Sequence, residues 1–374
     1  MRIPYSRPAQ VGTELHYLRE ALEANELSSG GRFGRRCEEW LKARTGARAA
    51  HLTHSATAAL EMAALLAELG PGDEVVMPAF AYVSCANAVA LRGAKPVFVE
   101  VRRESLNIDP QAVADALTPR TRAILVLHYA GVPCDMAPIL ELAERRGLLV
   151  IEDAAHALLS TWRGRMAGTL GHLGILSFHA TKNVACGEGG ALLVNDARFA
   201  ERAERLLCKG TDRADFLRGE RPRYVWVDLG SSFALGELAA AFLLAQLEAA
   251  DEITRERRAQ WQRYHEAFRR LDEKSIGRPT VPAGVEHNGH IYYLVLGTPE
   301  ERERFIAAMR ARGITTPFHY VPLDDTPAGR RLGRAAGSLA ETRHAAARLV
   351  RLPLWHGMGE AQDAVIAAVL EELG

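Results

Sequence analysis

The sequence predicts an α/β fold with a large amino-terminal domain and a smaller carboxyl-terminal α+β domain. Between residues 49 and 196, short apolar runs alternate with helical segments, which is typical of a mixed, mainly parallel sheet wrapped by helices. Beyond residue 195 the pattern becomes mainly helical. With 374 residues, 48% of them hydrophobic, the chain can bury the cores of two domains. We place the large domain, including an amino-terminal arm, at residues 1–250 and the small domain at 251–374.

The clearest predicted strands are continuous in Val, Ile and Leu, as strands covered on both faces should be. They are residues 74–77, 96–99, 123–127, 148–151 and 175–178. Helices fill the gaps between them. The best defined is 56–69, which Ser55 can cap and Gly70 follows.

The second half of the chain is predicted from longer helical patterns. Helices are expected at 199–207 and 235–247, followed by a charged helical stretch at 252–270 that bridges the domains. In the small domain we expect a strand at 290–296 and helices at 299–312 and 362–373.

Composition excludes several classes of protein. Lys plus Arg (46) equals Asp plus Glu (46), so no global basic field favours nucleic acid. The five cysteines are scattered and lack C-x-x-C spacing, which fits a reduced compartment and gives no zinc motif. The start has no apolar stretch typical of a secretory signal, and the most apolar run, 233–250, is too short and polar to span a bilayer. We expect a cytoplasmic protein.

Two carboxylates and an imidazole follow the predicted strand at 148–151. Ligands of open α/β sheets bind beyond the carboxyl ends of the strands, so Glu152, Asp153 and His156 are expected to lie at a ligand-binding site. One of the carboxylates could hold a proton on a ligand nitrogen. An isolated pair of this kind more often caps a helix or meets solvent.

Lys182 follows the predicted strand at 175–178 and precedes the glycine-rich segment 186–190. A lysine in such a turn can lose solvation and become a neutral amine suited to Schiff-base chemistry. Taken alone, it is more simply read as a solvated surface charge.

The start of the predicted helix at 56–69 is a candidate phosphate site. Free backbone N–H groups and the helix dipole at Ala56 and Thr57 attract anions, although simple capping by Ser55 explains the same residues. No G-x-G-x-x-G follows the early strands and no P-loop motif occurs, so a dinucleotide or P-loop site lacks its usual signature.

A phosphate site, a strand-end carboxylate and a lysine, in this order, are the parts that a pyridoxal-phosphate enzyme needs. Segments 53–60, 78–84, 152–156 and 177–183 together closely resemble the sugar aminotransferase family of fold type I, and the resemblance covers essentially the whole chain. Further segments (11–15, 60–66, 128–132, 230–232, 246–251 and 318–320) are most similar to members that aminate a dTDP-linked 4-keto-6-deoxy sugar. The resemblance implies glutamate as the amino donor and a role in bacterial surface-polysaccharide synthesis.

The resemblance also implies three catalytic residues. Lys182 forms the Schiff base with pyridoxal 5′-phosphate and then moves a proton between the substrate and cofactor carbons. Asp153 pairs with the ring nitrogen and keeps it protonated, and His156 lies beside the ring oxygen.

Further cofactor contacts are implied in the same way. Tyr82 stacks on the cofactor ring. The backbone amides of Ala56 and Thr57 and the Ser177 hydroxyl hold the phosphate. The chain is expected to form a homodimer with shared active sites, in which Ser232 of the partner subunit reaches this phosphate.

Other residues match positions near the substrate. Glu188, His290 and His319 are expected at the sugar pocket. Arg213 and Arg218 lie in a basic segment that could meet the nucleotide diphosphate or be simply solvated.

The sequence departs from the family pattern at two places. Ser232 stands where many members carry asparagine, which shortens the contact expected across the dimer. Asp324 and Asp325 follow Pro322-Leu323 where the family often has histidine, and a carboxylate there could alter the sugar pocket.

Alternative functions stay open. A related group with histidine in place of the lysine dehydrates sugars, and Lys182 argues against it. A lyase or racemase acting on free amino acids would use the same cofactor but lacks support from the sugar-family segments. A regulatory protein would usually carry a DNA-binding module, and we expect none because the chain begins too close to its α/β domain to contain one. A 3-keto sugar, or a UDP- or GDP-linked one, is the alternative substrate.

Overall fold

The computed structural model describes residues 2–374. Its strands, in chain order, are β1 (Ala49–Thr53), β2 (Glu74–Pro78), β3 (Lys95–Val99), β4 (Thr121–Leu127), β5 (Leu149–Asp153), β6 (Thr161–Trp162), β7 (Arg165–Met166), β8 (Leu173–Ser177), β9 (Gly190–Val194), β10 (Val285–Glu286), β11 (Tyr292–Val295), β12 (Arg334–Ala335) and β13 (Leu349–Leu352). The α-helices are α1 (Glu14–Glu23), α2 (Arg32–Thr45), α3 (Ala56–Leu66), α4 (Val83–Ala90), α5 (Pro110–Ala116), α6 (Met136–Arg146), α7 (Ala200–Leu207), α8 (Arg213–Leu217), α9 (Glu237–Glu248), α10 (Ala250–Ala267), α11 (Pro299–Ala311), α12 (Pro327–Leu332), α13 (Ala340–Arg348) and α14 (Glu360–Leu373). None of these helices has the length and apolar character that crossing a membrane requires.

The main sheet has eight strands in the order β1-β9-β8-β5-β4-β2-β3-β12. From β8 to β12 all neighbours are parallel, whereas β9 runs antiparallel to both β8 and β1. The mixed, mainly parallel sheet is therefore confirmed. The five predicted strands correspond to β2, β3, β4, β5 and β8, with ends shifted by one or two residues.

The topology brings separate parts of the chain to one edge of this sheet. β1, β5 and β8 run in the same direction, so Thr53, Asp153 and Ser177 all end their strands at that edge. Helix α3 begins there directly after β1, and β9 begins there at Gly190. This edge is where ligands of open α/β sheets bind.

Apart from the main sheet, a separate apolar cluster lies mainly in the carboxyl-terminal part of the chain. Helix α10 carries Tyr264 into this cluster, where it packs with Phe268 and Tyr292. β11 pairs antiparallel with β13, a partner strand that the sequence pattern did not indicate. The predicted helices at 299–312 and 362–373 are α11 and α14. The division at residues 250 and 251 stays a prediction.

Candidate active site

A cavity of about 540 Å³ opens at the carboxyl edge of the main sheet. Most of the predicted site residues line it: Ala56, Thr57, Tyr82, Asp153, His156, Ser177, Lys182, Glu188, His290 and His319. A larger, more open groove of about 1000 Å³ lies at the opposite edge of the sheet, near Arg48, His172 and Asp196, and none of the predicted residues lines it. We take the cavity at the carboxyl edge as the candidate site because the predicted lysine, carboxylate and helix start converge there.

Lys182 enters the cavity from the turn that follows β8. Its backbone N–H donates to the His179 carbonyl (2.8 Å), which fixes the turn. Burial lowers the pKa of the amine to about 8; the Asp153 carboxylate opposes the decrease and the Arg351 cation adds to it. Near physiological pH, Lys182 therefore has a much larger neutral, reactive fraction than an exposed lysine has.

Asp153 is a buried carboxylate at the end of β5. One of its oxygens accepts the Ala155 N–H (3.0 Å) and the other accepts the Cys85 thiol (3.1 Å). Burial holds the pKa of Cys85 well above its ordinary value, so the thiol remains a donor. A carboxylate held by neutral donors keeps its charge available for a protonated ring nitrogen.

The amino end of α3 forms a cradle for an anion. Ser55 caps the helix by accepting the Ala58 N–H (3.1 Å), and within residues 2–374 the amides of Ala56 and Thr57 donate to no acceptor. A Cβ added at Gly190 would lie 2.4 Å from the Ala56 nitrogen, so only glycine lets β9 approach this closely. Free amides at a helix start suit a phosphate group.

Three histidines form one wall of the cavity. The rings of His156 and His290 lie 4.6 Å apart, and Tyr320 contacts His156 through its hydroxyl (3.3 Å to Nε2). His290 Nδ1 is within 2.8 Å of the Asn183 side-chain oxygen. Burial holds the pKa values of His156, His290 and His319 well below the ordinary value, so this wall is uncharged at neutral pH.

The residues present fit pyridoxal phosphate. The amine of Lys182, the carboxylate of Asp153 and the α3 amides line one cavity of a size typical for small-molecule sites. The buried Nδ1 of His156 has no hydrogen-bond partner in the described part of the chain, so a polar group of a ligand can satisfy it.

Three predicted residues lie outside this cavity in the single chain. Ser232 is exposed and forms an isolated backbone bridge with Cys208. Arg213 is exposed at the start of α8, and Arg218 pairs with three carboxylates: Glu204 (2.9 Å), Asp215 (2.5 Å) and Glu220 (2.9 Å). A role for these residues therefore requires a partner subunit or a rearrangement of the segment.

The two aspartates that replace the family histidine also lie outside the cavity. Asp324 is buried and accepts from Arg343 (2.7 Å), and Asp325 pairs with Arg330 (2.5 Å). The cavity wall nearby is formed instead by His319 and Tyr320. Asp324 therefore does not line the cavity of this chain.

Sequence reasoning missed several residues of the site, among them four whose side chains bear on its chemistry. Tyr5, Tyr320 and Arg351 line the cavity, and Cys85 lies behind Asp153. Tyr320 belongs to a segment that carries the family resemblance. Arg351 offered one signal, because it is a charged residue inside the apolar run of β13.

Comparisons with known proteins agree with this geometry. The family model described as the DegT/DnrJ/EryC1/StrS aminotransferase family matches residues 8–370. The aminotransferase TlmJ from Streptoalloteichus hindustanus is 32% identical, with a TM-score of 0.91 over 100% of this chain and 99% of its own. DesV from S. venezuelae, whose crystal structure is in complex with a ketimine intermediate, is 31% identical, with a TM-score of 0.89 over 99% and 98%.

A third protein shares the fold at lower identity. Spr1654 from Streptococcus pneumoniae, whose structure is known in a PLP form, is 24% identical, with a TM-score of 0.90 over 100% of both chains. The family match over nearly the whole sequence carries the assignment. The chain therefore belongs to the DegT/DnrJ/EryC1/StrS aminotransferase family, has the fold of fold-type I aminotransferases, and uses pyridoxal 5′-phosphate as its cofactor.

Proposed function

We propose that this aminotransferase moves the amino group of glutamate to the 4-keto group of a nucleotide-linked 6-deoxy sugar. The preferred acceptor is dTDP-4-keto-6-deoxyglucose, and the product is dTDP-4-amino-4,6-dideoxygalactose for bacterial surface polysaccharide. The sequence segments most similar to the enzymes of this reaction, among them 128–132 and 318–320, support the choice. His319 and Tyr320 line the cavity, and Tyr129 supports them from behind, since its hydroxyl lies 2.8 Å from His319 Nδ1.

The observation that carries the proposal is the placement of Lys182. Its amine, with a pKa lowered to about 8, lies in one cavity with the buried carboxylate of Asp153 and the amides at the start of α3. Each group meets a separate requirement of transamination: a reactive amine, a counter-charge for a ring nitrogen and a phosphate anchor.

The chemistry divides between cofactor and protein. When bound, pyridoxal phosphate supplies an electron sink for the carbon that loses its proton. Asp153 holds the proton on the ring nitrogen, and the Lys182 amine accepts and returns the proton at the substrate carbon. The amides of Ala56 and Thr57 orient the phosphate, while Tyr82 and His156 fix the plane of the ring.

We also propose that the active form is a cytoplasmic homodimer with shared sites. Tyr82 lines the cavity yet is 57% exposed, so the mouth of the site is incompletely covered by a single chain. A second chain placed there would cover Tyr82 and bring Ser232 of the partner subunit towards the phosphate cradle.

The two half-reactions test the proposed function separately. In a stopped-flow absorbance experiment, glutamate should bleach the visible band of the bound cofactor, and dTDP-4-keto-6-deoxyglucose should then restore it. Restoration by a 3-keto sugar, or by a UDP- or GDP-linked sugar, in preference to this compound would contradict the proposed acceptor. Failure of glutamate to change the spectrum would contradict the proposed donor.

A further inference from the structure

Cys85 lies in the first turn of α4 with its thiol beside the Asp153 carboxylate, and transamination as outlined above gives it no task. Its Sγ lies 3.1 Å from Asp153 Oδ2, and both residues are buried. Within residues 2–374 no other cysteine thiol bonds to a carboxylate, and three donate to backbone carbonyls instead: Cys37, Cys134 and Cys186. The contact therefore singles out the carboxylate on which a ring nitrogen would depend.

The Cys85 thiol is the donor in this contact. Burial raises the pKa of Cys85 well above its ordinary value, and the negative charge of Asp153 raises it further, so the sulfur keeps its proton. The backbone N–H of Cys85 donates to the Tyr82 carbonyl (3.2 Å), which ties the residue to the start of α4. The hydrogen bond thus runs from the sulfur to the carboxylate oxygen.

Two contacts hold the plane of the Asp153 carboxylate. The terminal torsion of an aspartate is broad, so one hydrogen bond leaves the plane free to turn. Oδ1 accepts the Ala155 N–H (3.0 Å) from the same loop, and Oδ2 accepts the Cys85 thiol from a separate helix; within residues 2–374 no other group donates to them. Each oxygen can still accept another bond, so a protonated ring nitrogen finds a free acceptor.

Helix α4 contacts the cofactor site in two places. Tyr82, its N-cap, lines the cavity, and Cys85 reaches Asp153 from the next turn. A hydrogen bond to a carboxylate is strongest when the donor lies near the carboxylate plane, so the orientation of this plane decides how well Asp153 holds a ring proton.

We infer that Cys85 is a positioning residue, whose thiol keeps the Asp153 carboxylate in the orientation that the ring nitrogen of the cofactor requires. It acts only through Asp153 and makes no contact with the cofactor itself. The inference rests on the proposed role of Asp153 in transamination.

The first test is infrared spectroscopy of the full-length holoenzyme. Subtracting the spectrum of Cys85→Ala from that of the wild type isolates the S–H stretching band of Cys85. Cys134→Ala gives the matched control band, because the Cys134 thiol is also buried but donates to the neutral Leu127 carbonyl (3.2 Å). A charged acceptor weakens the S–H bond more, so the Cys85 band should lie at the lower wavenumber.

The acceptor is identified by changing Asp153. In Asp153→Asn, measured against the double variant that also carries Cys85→Ala, the Cys85 band should move up towards the Cys134 band. The Cys134 band should not move. A Cys85 band that coincides with the Cys134 band in the wild type, or that ignores Asp153→Asn, would mean that the thiol does not hold the carboxylate.

The second test measures the consequence for the bound cofactor. In Cys85→Ala the rate of the glutamate half-reaction should fall about three- to tenfold, the effect of one lost hydrogen bond, and the visible circular dichroism of the cofactor should change. Cys85→Ser keeps a donor of similar size and should restore both. Cys134→Ala removes the same buried sulfur elsewhere and should leave both unchanged.

Three outcomes of the second test are decisive. If Cys85→Ala matches the wild type in rate and circular dichroism, the positioning role is wrong. If the serine and alanine variants are slowed equally and lose the same melting temperature, Cys85 only fills space and the inference is overturned. If the wild type does not react with glutamate, the proposed function fails, whereas the infrared bands still decide whether the thiol holds Asp153.

Discussion

Most lysines in proteins are exposed cations, whereas Lys182 is half-buried in a cavity that it shares with a second cation, Arg351. Burial and this neighbour both favour the neutral amine, and the Asp153 carboxylate opposes them. The reactivity of Lys182 therefore comes from its environment, and the residue type alone would not reveal it.

The first prediction concerns the pH dependence of that amine. A pKa of about 8 leaves roughly a tenth of Lys182 neutral at pH 7 and roughly nine tenths at pH 9. The rate at which cofactor-free protein combines with pyridoxal phosphate should therefore rise with pH and level off above about pH 9. N-acetyl-lysine methylamide, measured alongside, should keep rising beyond pH 10. A protein profile that follows this free amine would contradict the lowered pKa.

The second prediction concerns Asp153. In Asp153→Asn the amide carries no charge to hold a proton on the ring nitrogen, so transamination should fall by about a hundredfold or more while the cofactor still binds. Steady-state assay and absorbance titration measure the two effects. Asp115→Asn, which changes an exposed aspartate on α5, is the matched control and should leave both transamination and cofactor binding unchanged. Near-normal turnover in Asp153→Asn would refute the assigned role.

For single residues, the sequence indicates those that directly follow strands. It does not indicate pairs that are distant along the chain and come into contact only in the folded protein. Asp153 and Lys182 could be singled out because each follows an apolar run near a glycine or helix start. Cys85 and Arg351 could not, because their partners Asp153 and Tyr5 are 68 and 346 residues away along the chain. Only the fold brings those pairs into contact.

Among the elements, the junction of α3 with β9 shapes the phosphate cradle. β9 starts at Gly190 against the backbone of Ser55 and Ala56, which keeps the helix start open to the cavity. Continuous apolar runs made the central parallel strands predictable. β1 and β9, which pair antiparallel at one side of the sheet, were not singled out. β9 is as apolar as the central strands, so composition could have indicated a strand there. Composition does not show the direction in which a strand runs, and β9 runs antiparallel to its neighbours.

The third prediction tests this junction. In Gly190→Ala the new methyl group would meet backbone atoms of Ser55 and Ala56 closer than any real contact, so the helix start must shift. The dissociation constant for pyridoxal phosphate should rise about tenfold or more, as fluorescence titration would show. Gly70→Ala is the control, since no atom lies within 4 Å of its added Cβ. Unchanged cofactor affinity in Gly190→Ala would mean that the start of α3 does not bind the phosphate.

For the whole molecule, the exposed surface points to association. Residues 224–229 form a run of exposed apolar side chains interrupted by one aspartate, with Trp226 77% exposed. A contiguous apolar run of this kind marks an interaction surface. The predicted α/β class and the order of the site residues needed only local patterns, whereas domain limits and dimer contacts depend on surfaces that no local pattern encodes.

The fourth prediction concerns the proposed dimer. Trp226→Asp places a charge in the apolar run and should shift the protein towards monomers in sedimentation velocity, with a parallel loss of transamination. Val281→Asp places the same charge at an exposed apolar side chain in the carboxyl-terminal part of the chain. This variant should sediment as the wild type does and keep its transamination rate. A dimer that persists in Trp226→Asp would exclude this segment from the interface.

The central claim, that Lys182 is the residue that binds the cofactor covalently, has one direct test. The holoenzyme is reduced with borohydride, digested, and its peptides are sequenced by mass spectrometry. The pyridoxyl group should be found on the peptide that contains Lys182, and Lys182→Ala should carry none. A pyridoxyl group on another lysine, or an unmodified Lys182 in reduced holoenzyme, would contradict the account.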